Sequence, residues 1–498
     1  MLEVSQTAVI VPLSIWLVYS LVKLFGETRK LDHIPTIGFS DPILSYWSAL
    51  QFLIDPPGFI RKGWETIPPG TKYVKVPGMS RWTVLGTVPE QYKEVASAAD
   101  HFLSPSKATD EFLQAKHTMW YDEIGDHLQV KPIRQNLNRS LGELLPLVHE
   151  EAVLAFEDAF PLTNEWQSHA FVPALLKIVA RISNRALVGL PLCRDAEYID
   201  ANVSYAVEVI VESFLLYPLP PFLRGLAHRL FSPIPGRLTR MTRWIQPILD
   251  ARREDKAAHG PNWEEPKDML YWLTQVAEEH GRADRDPIIR LMSTNFGSIH
   301  TTALTFTHAL YSLLSRPQYI EHLRQEIDQC VQEEGWTKAS MDRMVFLDSF
   351  IAESKRYDIL GTVGGMRIAI EDCILSGTLI PKGTMIGANL IDAHFSPSAW
   401  GPDAEEFDPY RFIKIEKETG RRISIVTTNV NTLTFGHGKH ACPGRFFAAQ
   451  EMKLMMAYLL HHYDMKLDNK DGSRPKNMWI GMGCVPSQNA RILFRRRE

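Results

Sequence analysis

The decapeptide Phe435-Gly-His-Gly-Lys-His-Ala-Cys-Pro-Gly444 places one cysteine, Cys442, between glycines and directly before an apolar run over residues 445–460. Proline is favoured in the first helical turn, where its missing N–H is not needed. We therefore predict a helix that begins at Pro443, with Cys442 at its N-cap. The positive end of the helix dipole would lower the pKa of that thiol and favour the thiolate, the form that ligates a metal.

The glycines around Cys442 let the backbone turn tightly and approach a flat cofactor closely. The stretch resembles the haem-binding loop of the cytochrome P450 family, whose pattern is Phe-x-x-Gly-x-Arg/His-x-Cys-x-Gly. Every fixed position of that pattern is filled, by Phe435, Gly438, His440, Cys442 and Gly444. The resemblance implies haem b as the cofactor, with the Cys442 thiolate as the axial ligand of its iron.

Two other interpretations of the loop are less favoured. One is a structural cysteine buried before a core helix. The other is a zinc site built from His437, His440 and Cys442. A fourth ligand for zinc is missing, however, and the chain contains no Cys-x-x-Cys pair.

The composition is that of an ordinary globular protein. The chain has 498 residues, of which 45% are hydrophobic and 22% are charged, and its formal charge is −4, which argues against a nucleic-acid partner. The 5 cysteines are scattered, which favours free thiols in a reducing compartment. No linker, charge block or internal repeat divides the chain. We therefore predict a membrane anchor at residues 1–28 and one haem-thiolate monooxygenase domain at residues 29–498.

The apolar segment over residues 8–25, AVIVPLSIWLVYSLVKLF, is the basis for the anchor. A membrane-spanning helix needs ~20 residues, with a lower limit near 17. Arg29 and Lys30 follow the segment, so the positive-inside rule puts the main domain on the cytosolic side. A cleaved signal peptide is less favoured, because a basic n-region and a small-x-small cleavage site are absent. We predict a single-pass protein of the endoplasmic reticulum membrane.

Hydrophobic periodicity predicts a mainly α-helical fold with small β-sheets, which is also the fold that the resemblance implies. The longest predicted helix covers residues 286–316, with Pro287 in its first turn. Alternating apolar residues predict short strands near residues 72–77, 82–86 and 368–386. Spacings of three and four residues predict helices over residues 141–160 and 174–188.

A second motif is Glu353-Ser-Lys-Arg356, which places an acid and a base on one helix face. In most proteins such a pair lies on the surface and contributes little. Here the order and spacing, with Phe407-Asp-Pro-Tyr-Arg-Phe412 downstream, resemble the Glu-x-x-Arg helix of the family and its Pro-x-Arg-Phe partner. The resemblance implies a buried network of Glu353, Arg356 and Arg411 that supports the loop of Cys442.

The predicted long helix contains Gly297-Ser-Ile-His-Thr-Thr302, where the family pattern is Ala/Gly-Gly-x-Asp/Glu-Thr-Thr/Ser. Thr301 matches the threonine that lies over the haem, and Gly297 keeps the helix slim beside it. The ordinary alternative is a threonine that bonds back to its own helix. His300 departs from the pattern, because it occupies the usual acidic position. We consider it either a proton relay, since histidine titrates near neutral pH, or a spacer.

The haem propionates need cationic partners. The resemblance assigns this role to His440 and to Arg367, which follows the Glu-x-x-Arg helix. On the preceding helix Arg134 is the best match, with Arg139 as its rival. By the same resemblance, the substrate pocket is predicted to be lined by Phe214, Gly297, Ile299, Ala303, Ile359, Leu360 and Val363.

These motifs together predict a haem-thiolate monooxygenase that inserts one atom of O2 into a lipophilic small molecule. The family resemblance implies electrons from NADPH through NADPH–cytochrome P450 reductase, with cytochrome b5 and membrane lipid as further partners. Short motif similarity to the ent-kaurene oxidase and indole-diterpene oxidase group favours a terpenoid or a related fungal secondary metabolite. The alternatives are a haem-thiolate isomerase or dehydratase and a non-enzymatic haem sensor.

Overall fold

A computed structural model of the chain describes residues 19, 22, 25–79, 81–121 and 126–498. Helices dominate this part of the chain and the strands form small sheets, so the predicted fold class is confirmed. The predicted anchor at residues 1–28, with its apolar segment at residues 8–25, lies mostly outside the described residues. Within the ranges that are described, no helix is long and apolar enough to span a membrane.

The helices after residue 44 are, in chain order, α1 (Ser45–Ile54), α2 (Pro56–Trp64), α3 (Pro89–Ser97), α4 (Pro105–Leu113), α5 (Ala115–Thr118), α6 (Val130–Pro132), α7 (Leu141–Ala159), α8 (Phe171–Leu187), α9 (Ala196–Leu216) and α10 (Pro221–Phe231). They continue with α11 (Ile234–His259), α12 (Met269–Glu279), α13 (Asp286–Leu314), α14 (Ile320–Glu334), α15 (Lys338–Arg343), α16 (Val345–Tyr357), α17 (Leu390–Phe395), α18 (Pro397–Trp400), α19 (Arg411–Thr419) and α20 (Arg445–His462).

The strands are β1 (Tyr73–Pro77), β2 (Trp82–Gly86), β3 (Leu103–Ser104), β4 (Gln167–Ala170), β5 (Val363–Ala369), β6 (Cys373–Leu375), β7 (Thr378–Ile380), β8 (Met385–Asn389), β9 (Tyr463–Leu467), β10 (Met478–Ile480), β11 (Gly483–Val485) and β12 (Arg491–Arg496). The largest sheet has the order β1-β2-β8-β5-β3, in which only the β2–β8 pair is parallel. Strand β12 pairs with β4 and β9, which ties the C-terminal residues to two distant parts of the chain.

Helix α13 is the central element. It has 29 residues and is therefore about 44 Å long at 1.5 Å per residue. Most of its side chains are buried, and α8, α9, α12 and α20 pack against it. Because α13 crosses the core and is packed by several helices, the side chains of its middle turns are held in fixed positions.

Candidate active site

The loop from Phe435 to Gly444 is closed on itself. The Cys442 amide donates to the Phe435 carbonyl at 2.7 Å, so both ends of the loop meet. Gly436 and Gly438 have φ angles of 67° and 73°, which disfavour any residue with a Cβ atom. The sequence pattern thus corresponds to a tight turn that presents one half-buried thiol.

The prediction for the helix start and for the thiol was wrong in detail. Helix α20 begins at Arg445 with Gly444 as its N-cap, so Cys442 lies before the cap. Burial raises the pKa of the Cys442 thiol, and the amides of Gly444 and Arg445 and the nearby Lys355 oppose that rise. The N–H groups still point at sulfur, but desolvation outweighs them. A metal bound to sulfur would displace the thiol proton directly.

Helices α16 and α19 bring Glu353, Arg356 and Arg411 together in the interior. Arg356 binds Glu353 through two parallel hydrogen bonds of 2.7 and 2.8 Å. Arg411 and the Asp408 amide donate to the same carboxylate at 3.2 and 2.9 Å. All three charged side chains are almost fully buried. Such a network is costly to break, because removing one partner leaves the others buried without compensation.

The two arginines also clamp the chain that leads to the cysteine loop. Their remaining N–H groups donate to backbone carbonyls between α17 and α19, those of His394, Trp400, Asp403, Ala404 and Glu406. His394 extends this clamp toward the loop: its Nδ1 lies 3.2 Å from the Arg356 carbonyl and its Nε2 accepts from the Leu433 amide at 3.3 Å. The network therefore supports the loop of Cys442 through the backbone.

One strip of helix α13 is open while its neighbours are buried. Gly297 and Thr301 are exposed, and a Cβ added at Gly297 would meet nothing within 4 Å. The Thr301 hydroxyl donates to the Gly297 carbonyl at 2.6 Å, and the Thr305 hydroxyl donates to the Thr301 carbonyl at 2.7 Å. This spacing of four residues places Gly297, Thr301 and Thr305 on one helix face, and that face borders open space at Gly297 and Thr301.

Two residues that the sequence predicts to line the pocket lie on another side of α13 from this strip. Ile299 and Ala303 are completely buried in the main hydrophobic core. A step of two residues along a helix turns the side chain by about 200°, away from the open face. Phe214, on α9, is 54% exposed and packs edge-to-face with Phe112.

His300 is directed toward helix α9. Its Nε2 lies 3.0 Å from the Val203 carbonyl, and a carbonyl can only accept, so Nε2 carries the proton. Burial lowers the pKa of His300 below its usual value of 6.5, although the Val203 contact opposes this. The imidazole is therefore neutral at neutral pH, and its hydrogen bond joins two helices.

The loop that follows α16 approaches the C-terminal β-hairpin. The Leu360 carbonyl accepts from the Cys484 amide at 2.8 Å, and the Thr362 amide donates to the Met482 carbonyl at 2.8 Å. Ile359 is buried, whereas Leu360 and Val363 are half-buried. These bonds fix the backbone of the predicted pocket loop and leave two of its apolar side chains partly accessible.

The predicted propionate partners form a second charged group. Arg367 is buried, and its guanidinium bonds only the carbonyls of Gly365 and Met366, with no described carboxylate within ion-pair distance. Burial lowers the pKa of Arg367, and the charge of Asp100 opposes this. Asp100 also accepts from His440 at 2.8 Å. A buried arginine without a carboxylate is a fitting partner for an anion such as a propionate.

Arg134 reaches the cysteine loop as well. Its guanidinium donates to the Lys439 carbonyl at 2.6 Å; both Arg134 and its rival Arg139 are exposed. The residues present thus fit haem: a thiol on a closed loop, an uncompensated buried cation and an open strip on a central helix. Among the residues that are described, no three His, Cys, Asp or Glu side chains are grouped as a metal ion would require.

Sequence reasoning placed His394 in the lead-in to the Pro-x-Arg-Phe motif but missed its contact with the loop, and it missed the parts of Asp100 and Lys355. Asp100 pairs with Lys439 and His440 of the loop, His394 joins the network to the loop, and Lys355 contacts the Phe435 ring in the interior. Lys355 could have been noticed, because it is a charged residue inside the Glu-x-x-Arg motif, on a helix whose residues 346–356 are all buried. Asp100 is too far from the motifs in sequence to be recognised.

Comparison with known proteins supports the same conclusion. The cytochrome P450 family matches residues 133–494, which is more than half of the chain. Cytochrome P450 monooxygenase 151 of Postia placenta is 36% identical over 481 residues, covering 95% of each chain. Cytochrome P450 monooxygenase olcJ of Penicillium canescens is 32% identical over 422 residues, covering 82% of this chain and 79% of that one. A retinoic acid-bound cyanobacterial protein, CYP120A1, superposes with a TM-score of 0.70 at 20% identity, covering 93% and 99% of the two chains.

The chain belongs to the cytochrome P450 family. It is a cytochrome P450 monooxygenase of the fungal type, and its cofactor is haem with a thiolate ligand to iron. Family membership also implies a reductase that supplies electrons from NADPH and a lipophilic substrate.

Proposed function

We propose that Cys442 ligates the haem iron and that the enzyme oxygenates a terpenoid or a related fungal secondary metabolite. The observation that carries the ligand assignment is the closed loop of Phe435 to Gly444, which presents the thiol of Cys442 to two backbone amides at the start of α20. Helix α20 in turn packs against α13, which bears the open strip.

When bound, haem supplies the activation of O2 with two electrons from NADPH, and its thiolate ligand favours cleavage of the O–O bond. The chain supplies the rest. The network of Glu353, Arg356 and Arg411 holds the cysteine loop in place. The Thr301 hydroxyl can hold or pass a proton at its Oγ1 by releasing the Gly297 carbonyl. Gly297 leaves room beside it for oxygen and substrate.

The lipophilic substrate is supported by the residues that border the site. Leu360 and Val363 offer partly accessible apolar side chains on a backbone that is fixed by hydrogen bonds. The terpenoid proposal rests on the similarity of two short motifs, His300-Thr-Thr302 and Cys442-Pro-Gly-Arg-Phe-Phe-Ala448, to the ent-kaurene oxidase and indole-diterpene oxidase group. Retention of Thr301 argues against the isomerase alternative, because a rearrangement without reductase does not need a proton donor at that point.

The test of this function is co-expression of the full chain with a fungal reductase, followed by feeding of a panel of terpenoids and mass spectrometry of the products. We expect a product heavier by one oxygen atom, with oxygen from labelled O2, and matching consumption of NADPH. A product of unchanged mass without NADPH consumption would indicate an isomerase. Haem binding without turnover of any substrate would indicate a sensor.

We further propose that residues 1–28 anchor the enzyme in the endoplasmic reticulum membrane, with residues 29–498 in the cytosol. Exposed apolar side chains support a second contact with lipid. Helix α10 has no buried residue, and Phe222 and Phe231 on it are 71% and 82% exposed. Trp47 on α1, close in sequence to the anchor, is 56% exposed. Cytochrome b5 is proposed as a second electron donor on the family resemblance alone.

Deletion of residues 1–28 tests the anchor. We expect most of the protein to move from the membrane fraction to the soluble fraction with its haem spectrum intact, because the main domain contains every element of the site. The residual membrane fraction should fall further in Phe222→Ser/Phe231→Ser. Loss of haem-loaded protein on deletion would show instead that the segment belongs to the folded core.

A further inference from the structure

Lys355 is a buried cation inside the cysteine-loop support. It lies on α16 between Glu353 and Arg356 and is almost inaccessible to solvent. Its Nζ donates to the Ile425 carbonyl at 2.8 Å and lies only 3.4 Å from the centroid of the Phe435 ring. Lys355 therefore touches the aromatic residue that opens the loop of Cys442.

A buried ammonium group needs an anion, because desolvation otherwise disfavours its charge. No carboxylate of the described residues is within ion-pair distance of Lys355. Asp348 is the carboxylate whose charge acts most on Lys355, but its oxygens already accept from Lys453 at 3.3 Å and from the Ile425 amide at 2.9 Å.

After Asp348, the other group whose charge acts on Lys355 is the sulfur of Cys442, which lies on the loop that Phe435 opens. Burial lowers the pKa of Lys355 to about 7, and the charges of Asp348 and Cys442 oppose this. Conversely, the charge of Lys355 lowers the pKa of the Cys442 thiol against the effect of burial. The interior thus contains a buried cation that contacts the loop of Cys442 and, among the described residues, has no carboxylate at ion-pair distance.

We propose that Lys355 is a positioning residue of the haem site, whose ammonium balances the Cys442 thiolate and raises the reduction potential of the iron. The proposal rests on the proposed function, in that Cys442 must be the ligand. A positive charge near the iron stabilises the added electron of the ferrous state by Coulomb attraction, which is strong in a buried environment. The aromatic ring of Phe435, held against Nζ, fixes that charge beside the loop.

The experiment is a spectroelectrochemical titration of the haem-loaded full chain, as wild type and as Lys355→Met, Lys355→Gln and Lys453→Met. Methionine removes the charge and the hydrogen bond, whereas glutamine removes the charge but keeps a donor for Ile425. Lys453 is the matched control, because it is equally buried and contacts the same Asp348. The reduced carbon monoxide spectrum of each protein is recorded in parallel.

We expect negative shifts of the potential in Lys355→Met and Lys355→Gln, so that both remain mainly ferric at the potential that half-reduces the wild type. Lys453→Met should have the same reduction potential as the wild type.

An unchanged reduction potential in Lys355→Gln, or an equal shift in Lys453→Met, would overturn the proposal. If Lys355→Met does not retain haem, the reduction potential of Lys355→Gln alone tests the proposal. Loss of haem from both would assign Lys355 to loop folding and also overturn it. A wild type without a thiolate-type carbon monoxide spectrum would instead refute the ligand assignment itself.

Discussion

Thr301 is exposed in the middle of a helix whose two ends are buried, and its hydroxyl donates mainly to the Gly297 carbonyl at 2.6 Å, with the Ser298 carbonyl at 3.5 Å. That bond is weak enough to exchange for a bond to a ligand, since a net hydrogen bond contributes about 1 kcal/mol. We predict that Thr301→Ala still binds substrate and consumes NADPH but releases a larger share of the oxygen as hydrogen peroxide. The measurement is the ratio of product and peroxide to NADPH consumed.

Thr302→Ala is the control for this variant, because Thr302 is the adjacent threonine and is buried away from the open strip. It should keep the coupling ratio of the wild type. Equal uncoupling in both variants would assign the effect to the helix rather than to the Thr301 hydroxyl.

His300 is the position at which the sequence departs from its family, and sequence alone left it as relay or spacer. The structure adds its partner, the Val203 carbonyl at 3.0 Å. Burial lowers the pKa of His300, so the imidazole stays neutral from pH 6.5 upward. We predict that His300→Gln, which can donate to the same carbonyl, retains both coupling and the pH profile between 6.5 and 8. A flattened profile of product formation would show that His300 relays protons.

At the scale of elements, the contact between α16 and α19 determines whether the cysteine loop is held in place. Glu353, Arg356 and Arg411 form this contact. We predict that Glu353→Ala, Arg356→Ala and Arg411→Ala each lose about 3–5 kcal/mol of stability and yield little haem-loaded protein, because each leaves a buried charge unpaired. Haem content per folded protein is the measurement. Lys414→Ala, also on α19, removes an exposed ion pair with Asp408 at 2.7 Å and should cost no more than about 1 kcal/mol. Normal haem content in all three network variants would make the network dispensable.

The positions of the helices were largely predictable from the sequence, but which side of each helix borders open space was not. Apolar periodicity located the helix from Asp286 to Leu314 because it is long, and the helix start at Arg445 was missed because Pro443 fits a tight loop as well as a first turn. On α13, the resemblance singled out Gly297 and Thr301, which form the open strip, but not the limits of that strip. Gly297, Ser298 and Ala303 are all small, so residue size alone cannot say which side of the helix borders free space.

At the scale of the whole molecule, buried histidines make stability depend on pH. Burial lowers the pKa of His308 and of His394 to about 3. The folded state therefore binds fewer protons than the unfolded state between pH 6.5 and about 3, and acid favours unfolding over that range. We predict that each histidine lowers the free energy of unfolding by up to ~1.4 kcal/mol per pH unit below pH 6.

Denaturant unfolding at pH 7, 6 and 5 measures this slope. His308→Gln should reduce the slope of stability against pH. In the wild type Arg474 lies 2.9 Å from the Nδ1 of His308, and the amide oxygen of glutamine can accept the same hydrogen bond without taking up a proton. Identical slopes in the wild type and in His308→Gln would remove His308 as a cause of acid sensitivity.

The fold class and the family were predictable from the whole sequence because they rest on motifs of fixed spacing: the cysteine loop, Glu353 with Arg356, and Thr301. The partners of these residues were not, since Asp100 meets His440 across 340 positions of the chain. Such contacts depend on how helices and sheet edges meet in space. Local pattern therefore singled out candidates such as Cys442, Glu353 and Thr301, and the fold determines what each of them touches.

The central claim is that Cys442 supplies the thiolate of a haem monooxygenase, and the reduced carbon monoxide spectrum tests it most directly. We predict that the wild type shows the long-wavelength Soret band of a thiolate-ligated haem and that Cys442→Ser loses it. Cys484→Ser is the matched control, because Cys484 is a free cysteine in the interior, and it should keep the band. A wild-type band that persists unchanged in Cys442→Ser would contradict the account.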